Sequence, residues 1–214
     1  MTLQDSLDKL KEKIEGRMPS QNVAIMHQAT ADLKASGIGA QVLKAGEKAP
    51  DFKLVNHKGE EVDSKELIEK GPLVITFYRG VWCPYCNTDL AYLKRIKSEI
   101  DQAGATLLCV SPQQPEFNQQ IVETQKLNFD LLTDPNNEIA AQFGLRWVMV
   151  DPLRSLYKNQ FRIELPTYNG DDSWSLPVPA RFIIDKDGII GYAEYSVDYT
   201  KRPNPDVLLE ALNH

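Results

Sequence analysis

No apolar run in the 214-residue chain approaches the roughly 18–20 residues that a membrane-spanning helix takes. Positive charge is not in surplus either. The 24 Lys and Arg against 30 Asp and Glu leave a net charge of -6, which argues against nucleic acid as the main partner. The N-terminal stretch MTLQDSLDKLKEKIEG is charged throughout and lacks the apolar segment of a secretory signal, so a reducing, cytoplasmic setting is expected. Cysteine is scarce: Cys83, Cys86 and Cys109 are too few for a disulfide framework. In a reducing setting, a close pair points instead to redox or metal chemistry. The three histidines, His27, His57 and His214, are scattered over an expected helix, a turn and the terminus. A tetrahedral zinc site built on Cys83 and Cys86 therefore lacks its remaining ligands, and no Cys–His catalytic pair is legible. No metal and no cofactor are expected. Internal repeats and low-complexity tracts are also missing. At 42% hydrophobic residues, a chain of this length can bury a core without disulfide staples.

What is present divides into two parts. Residues 1–40 read as a helical extension. Leu3, Leu7, Leu10 and Ile14 share one helical face, Gly16 and Pro19 interrupt it, and Ser20 or Asn22 starts a second helix carrying Met26, Ala29 and Leu33. This arm either packs on the main domain or mediates dimerisation. Residues 40–50 form a connector. Residues 45–213 then alternate strands and helices. The strands are FKLVN (52–56), the apolar PLVITFY (72–78), ATLLCVS (105–111) and NFDLLTD (128–134), followed by a hairpin of ARFIID (180–185) and IIGYAEYSV (189–197). Helices follow Ser64, Pro84, Pro115 and Asn136, and a last one closes the chain from Pro203. Residues 145–177 read as irregular, with Trp147, Tyr157, Tyr168 and Trp174 as material for an aromatic lid or for core packing. The pattern predicts an α/β sandwich, a central mixed sheet with helices on both faces.

The chemistry concentrates at Cys83-Pro84-Tyr85-Cys86, just past the end of a central strand, where reactive groups gather in such sheets. Pro84 suits the first turn of a helix, so Cys83 falls at or beside the N-cap. Free N–H groups and the helix dipole there favour thiolate over thiol. Cys86, three residues on, lies on the same face, placed to attack a sulfenic acid or mixed disulfide on its neighbour. Arg79 adds positive charge nearby, and Trp82 is placed to shield the pair from water. Cys109, mid-strand, reads as a small buried hydrophobe.

The stretches AGEKAPDFKL, VITFYRGVWCPYC, FDLLTD and VPARFIIDKDGIIGY together resemble the peroxiredoxin-like proteins of the alkyl hydroperoxide reductase/thiol-specific antioxidant family, over residues 45–213. That resemblance implies a thioredoxin-like three-layer sandwich. It implies an antioxidant thiol peroxidase, which reduces hydroperoxides through a Cys83–Cys86 dithiol/disulfide cycle and is recycled by a thioredoxin-type donor. A homodimer is consistent with it. Peroxiredoxins carry Pro-x-x-x-Thr-x-x-Cys here. Laid on FYRGVWCPYC, their attacking cysteine falls on Cys86, their threonine on Cys83 and their proline on Arg79. Their arginine position falls on Pro179, with Arg181 two residues later as a substitute charge or a structural ion pair. Thioredoxin-like reductases carry Trp-Cys-x-x-Cys, as Trp82–Cys86 does, with Cys83 attacking and Pro179 in the position of their cis-proline. They also carry a buried carboxylate where Thr76 stands. A disulfide reductase acting on proteins, and a non-catalytic binding protein of the same fold, are the alternatives. Helix-start chemistry favours Cys83 as attacker and family position favours Cys86, with a slight preference for Cys83.

Overall fold

The computed structural model describes residues 2–213; His214, read as a terminal histidine, lies outside them. Helix α1 (Leu3–Glu15) starts from a capping box on Thr2, and α2 (Ser20–Ala35) follows a Pro19 N-cap. A hairpin of β1 (Lys53–Asn56) and β2 (Glu61–Asp63) leads to α3 (Ser64–Ile68). The cap of α3 is Asp63, whose side chain accepts from the Lys65 N–H at 2.9 Å. Ser64, expected as the cap, is buried and accepts from the Phe52 N–H instead. Strand β3 (Leu73–Phe77) is buried along its whole length and runs into the long helix α4 (Pro84–Gln102). Next come β4 (Thr106–Ser111), α5 (Pro115–Gln125), β5 (Asp130–Thr133) and α6 (Glu138–Gln142).

Residues 145–177 are more ordered than their composition suggests. They hold β6 (Arg146–Val148), α7 (Leu153–Asn159), α8 (Leu165–Asn169) and β7 (Ser175–Pro177). Strands of three residues are too short to show a period. In α7, however, Leu153, Leu156 and Tyr157 are all buried and keep helical spacing, a signal the sequence did contain. β6 and β7 pair antiparallel as a separate two-stranded sheet. Strands β8 (Ala180–Ile184) and β9 (Ile190–Tyr195) form the expected hairpin before α9 (Pro205–Leu212).

The main sheet has the order β2-β1-β5-β4-β3-β8-β9. β3, β4 and β5 run parallel, while the pairings β1–β2, β1–β5, β3–β8 and β8–β9 are antiparallel. Alternation along β3 sends Leu73, Ile75 and Phe77 into one core and Val74 into the other. The second core joins the sheet to α1, α4, α5 and α9 through Leu7, Leu90, Leu93, Ile121 and Leu208. Helices therefore cover both faces, the three-layer sandwich the sequence predicts. Helix α1 lies on α4, and α2 lies on α7. Among the described residues no helix is long and apolar enough to cross a membrane.

Candidate active site: a buried dithiol between two arginines

Strand β3 ends at Phe77, a loop carries Tyr78 to Trp82, and α4 starts with Cys83 as N-cap and Pro84 in the first turn. This is the junction expected from the sequence. All three cysteines are free thiols. Cys109 is buried mid-strand in the core of the α4 face, as expected, and burial pushes its thiol far up. Among the described residues, no group of three or more His, Cys, Asp and Glu side chains could hold a metal ion.

The two sulfurs of the pair have different surroundings. Cys83 is 1% exposed and lines an apolar cavity of about 170 Å³, whereas Cys86 is fully buried and does not reach it. Burial raises both thiols. For Cys83 that effect is overcome by a hydrogen bond from Cys86 and by the charges of Arg79 and Arg202, which hold it well below the usual thiol range. Cys86 goes the other way, pushed well up by burial and by the negative charge on Cys83. Of the two thiols, Cys83 is therefore the more acidic and Cys86 the less.

Each sulfur has its own guanidinium. Arg79, buried at the end of β3, brings Nη1 to 3.9 Å from Cys83 Sγ and donates from Nη2 to the Tyr157 hydroxyl at 2.6 Å. Its backbone N–H points at Cys86 Sγ, 3.4 Å away. The guanidinium sits in an aromatic cage, 4.9 Å from the Trp82 ring, 5.7 Å from Tyr157 and 4.5 Å from Tyr199. Trp82 meets Tyr157 edge to face, so the tryptophan walls the cavity beside Cys83. Tyr157 comes from α7 and reaches Arg79, and Phe161, packed against it, lines the same cavity. Trp147 borders the neighbouring cavity, Tyr168 packs on Phe117, and Trp174 lies in the core beneath α2 and α7.

Arg202 is the residue that sequence reasoning missed. It lies in the loop between β9 and α9 and donates from Nη2 to Cys86 Sγ at 3.0 Å. No local pattern marks it; the signal was only an arginine in a polar loop before a proline-started helix. Arg181, open to two readings, a substitute charge or a structural ion pair, has the contacts of the ion pair. Fully buried on β8, it donates from Nη2 to both oxygens of Asp89, from Nε to Thr76 and from Nη1 to the Pro203 carbonyl. Pro179 differs from the cis-proline of thioredoxin-like reductases. The Val178–Pro179 bond is trans; the cis bond among the described residues is Asp151–Pro152. Pro179 lines a cavity with Arg79 and Tyr157 that Cys83 does not reach.

A cysteine of lowered pKa at the N-cap of the helix after the central strand, backed by a second thiol and two buried arginines, defines a thiol-based oxidoreductase on a thioredoxin-like sheet. The model of the AhpC/TSA family matches residues 45–193, and the chain belongs to that family. Peroxiredoxin Bcp of Escherichia coli strain K12 is 31% identical over 171 residues, spanning 79% of this chain and 96% of that one. A putative peroxiredoxin bcp of Haemophilus influenzae is 37% identical over 103 residues, 48% of this chain and 66% of that one. The crystal structure of peroxidoxin BcpB from Mycobacterium tuberculosis superposes with a TM-score of 0.63 at 20% identity, covering 80% of this chain and 97% of that chain, which shows the shared fold. The family match begins at residue 45, so α1 and α2 lie outside it.

Proposed function

We propose that this enzyme is a thiol peroxidase that reduces hydroperoxides with Cys83 as the attacking sulfur and Cys86 as the resolving one. The observation that carries the assignment is the asymmetry of the pair. Cys83 lines the cavity and is held as thiolate, whereas Cys86 is sealed beneath it. The thiolate of Cys83 attacks one peroxide oxygen and the O–O bond breaks. Sulfur is oxidised to the sulfenic acid, and the other oxygen leaves as water or an alcohol once it has gained a proton. Arg79, in its desolvated cage, faces the negative charge that develops on that leaving oxygen. Cys83 and Pro179 stand where the family threonine and arginine would be, so this charge falls to Arg79. The Cys86 sulfur then attacks Cys83, the S–O bond breaks, water departs and a Cys83–Cys86 disulfide remains. A thioredoxin-type dithiol supplies the two electrons that restore the pair, in keeping with a reducing, cytoplasmic setting. α1, α2 and the turn between them contribute Ile14, Met26 and Met18 to the cavity wall, which fits an integral part of this site.

A protein disulfide is the competing substrate, favoured by the Trp82-Cys83-Pro84-Tyr85-Cys86 run at a helix start. The cavity is of a size for a small molecule, and this supports the peroxide. Intact-mass analysis after one equivalent of hydrogen peroxide should show the loss of two hydrogens, and Cys83→Ser should abolish it. Insulin disulfide reduction outpacing peroxide consumption would sink the peroxidase assignment.

A further inference from the structure

Resting on that cycle, we propose that Arg202 is a catalytic residue of its reductive half, the group that stabilises Cys86 as the departing thiolate when the Cys83–Cys86 disulfide is opened. A reductant that enters by the cavity meets Cys83, since Cys86 does not line it. Its thiolate therefore attacks the Cys83 sulfur. A bond forms between donor sulfur and Cys83, the Cys83–Cys86 bond breaks, and the electron pair leaves on Cys86. A second donor thiolate then attacks the donor sulfur of the mixed disulfide and releases Cys83, while Cys86 takes up a proton.

The leaving sulfur is fully buried, with no access to solvent. A thiolate formed there without a partner is costly, and thiols of high pKa leave slowly. Arg202 supplies the partner, with Nη2 donating to Cys86 Sγ at 3.0 Å. Two carbonyls and one carboxylate orient the rest of its head. Nη1 donates to the Tyr199 and Lys201 carbonyls at 2.6 and 2.8 Å, and Nε lies 3.7 Å from Asp89 Oδ2. Asp89 sits one helical turn beyond Cys86 on α4 and is itself clamped by Arg181 at 2.9 and 3.0 Å. Asp89 and Arg181 are positioning residues, aiming Arg202 without touching the reacting atoms. Arg79 does not duplicate the role: its guanidinium lies at Cys83 and in the aromatic cage, and only its backbone N–H approaches Cys86.

The test separates the two half-reactions. The disulfide is formed with diamide, so that its reduction by dithiothreitol is measured whether or not peroxide forms it. Peroxide oxidation of the dithiol is followed separately. Arg202→Gln should slow reduction about tenfold or more, with a smaller fall in the oxidation rate, and Arg202→Lys should recover part of the loss. Asp89→Asn, which leaves Arg202 present but without its ion pair, should slow reduction in the same direction and covers the case in which Arg202→Gln does not fold. Reduction at the wild-type rate in both Arg202→Lys and Asp89→Asn would overturn the assignment. So would equal slowing of both half-reactions in Arg202→Gln, which marks general damage. Peroxide failing to form the disulfide in the wild type would instead overturn the cycle, and the diamide arm would still report on Arg202.

Discussion

The two sulfurs of Cys83-Pro84-Tyr85-Cys86 are less than one helical turn apart, yet they sit in opposite environments. Above, Cys83 meets a cavity, an arginine stacked among Trp82, Tyr157 and Tyr199, and the free N–H groups of the α4 start. Below, Cys86 meets closed packing and a rigid ion network of Arg202, Asp89 and Arg181. The motif alone does not distinguish attacker from resolver, because it is nearly symmetric in sequence. Contact with the cavity and the identity of the neighbouring arginine distinguish them, and much of this comes from segments far along the chain: α2 and α7 help to build the cavity wall, and the β9–α9 loop brings Arg202.

The largest effects should come from breaking the asymmetry at the sulfurs themselves. Cys83→Ser should remove peroxide turnover altogether. Cys86→Ser should retain a first oxidation that stops at the sulfenic acid on Cys83, trapped by dimedone and located by peptide mass spectrometry. In the wild type, iodoacetamide at neutral pH should label Cys83 and spare Cys86. Dimedone on Cys86 in the Cys83→Ser variant, with steady peroxide consumption, would reverse the assignment and return the attack to the residue that family position favours.

Next in size is the charge above. An opposite charge beside a thiol shifts its pKa by about 1–3 units. Arg79→Met should therefore cut the peroxide rate at pH 7 about tenfold or more, and the loss should narrow toward pH 9 as the thiol ionises unaided. Arg79→Lys should fall between, because a lysine keeps the charge without the planar head that fits the cage. The sign follows from the depressed Cys83 value. In the wild type, the thiolate should persist to lower pH than for a free thiol, and reactivity should be lost as pH falls through the folded-state pKa. The stability tied to that thiolate follows the same direction: it is fully present above the unfolded-state value of about 8.5 and is lost on acidification through the folded one. A loss in Arg79→Met that is equal at pH 6 and pH 9 would mean that the cage, not the charge, was removed.

The upper half of this comparison was largely legible in the sequence, and the lower half was not. A continuous β-branched run, Arg79, Trp82, Cys83 and Pro84 follow one another within a dozen residues, so local rules place the strand, the N-cap and the nearby charge. Arg202 lies 116 positions from the sulfur it contacts. Its loop has no period, and only the packing of β9 and α9 against α4 brings it home. Arg181 was visible as a charge of the right strand and face, but its use depends on Asp89, whose place one turn past Cys86 has meaning only once β8 lies beside β3. Tyr157 was one of several aromatics in a stretch of short elements; its spacing from Leu153 and Leu156 marks a buried helix face, but not its contact with Arg79. Pro179 matched a thioredoxin position by alignment, while its bond is trans.

The smallest effect sharpens the lower half. Thr76 occupies the strand position at which thioredoxins carry a buried carboxylate, and its hydroxyl accepts from Arg181 Nε at 3.0 Å. The carboxylate of this site, Asp89, enters instead from α4, on the far side of the same guanidinium. Thr76→Val keeps the shape and removes one acceptor, leaving a buried N–H without a partner. Such a loss costs about 1–3 kcal/mol, and it should appear as a lower midpoint in urea unfolding. Arg181 keeps its two bonds to Asp89 and one to the Pro203 carbonyl, so the carboxylate stays aimed at Arg202. Reduction of the disulfide should therefore slow less in Thr76→Val than in Asp89→Asn, although both variants perturb the same arginine. The reverse order would place the anchor of the lower network in the strand rather than in the helix, and would make Asp89 a bystander to the sulfur three residues before it.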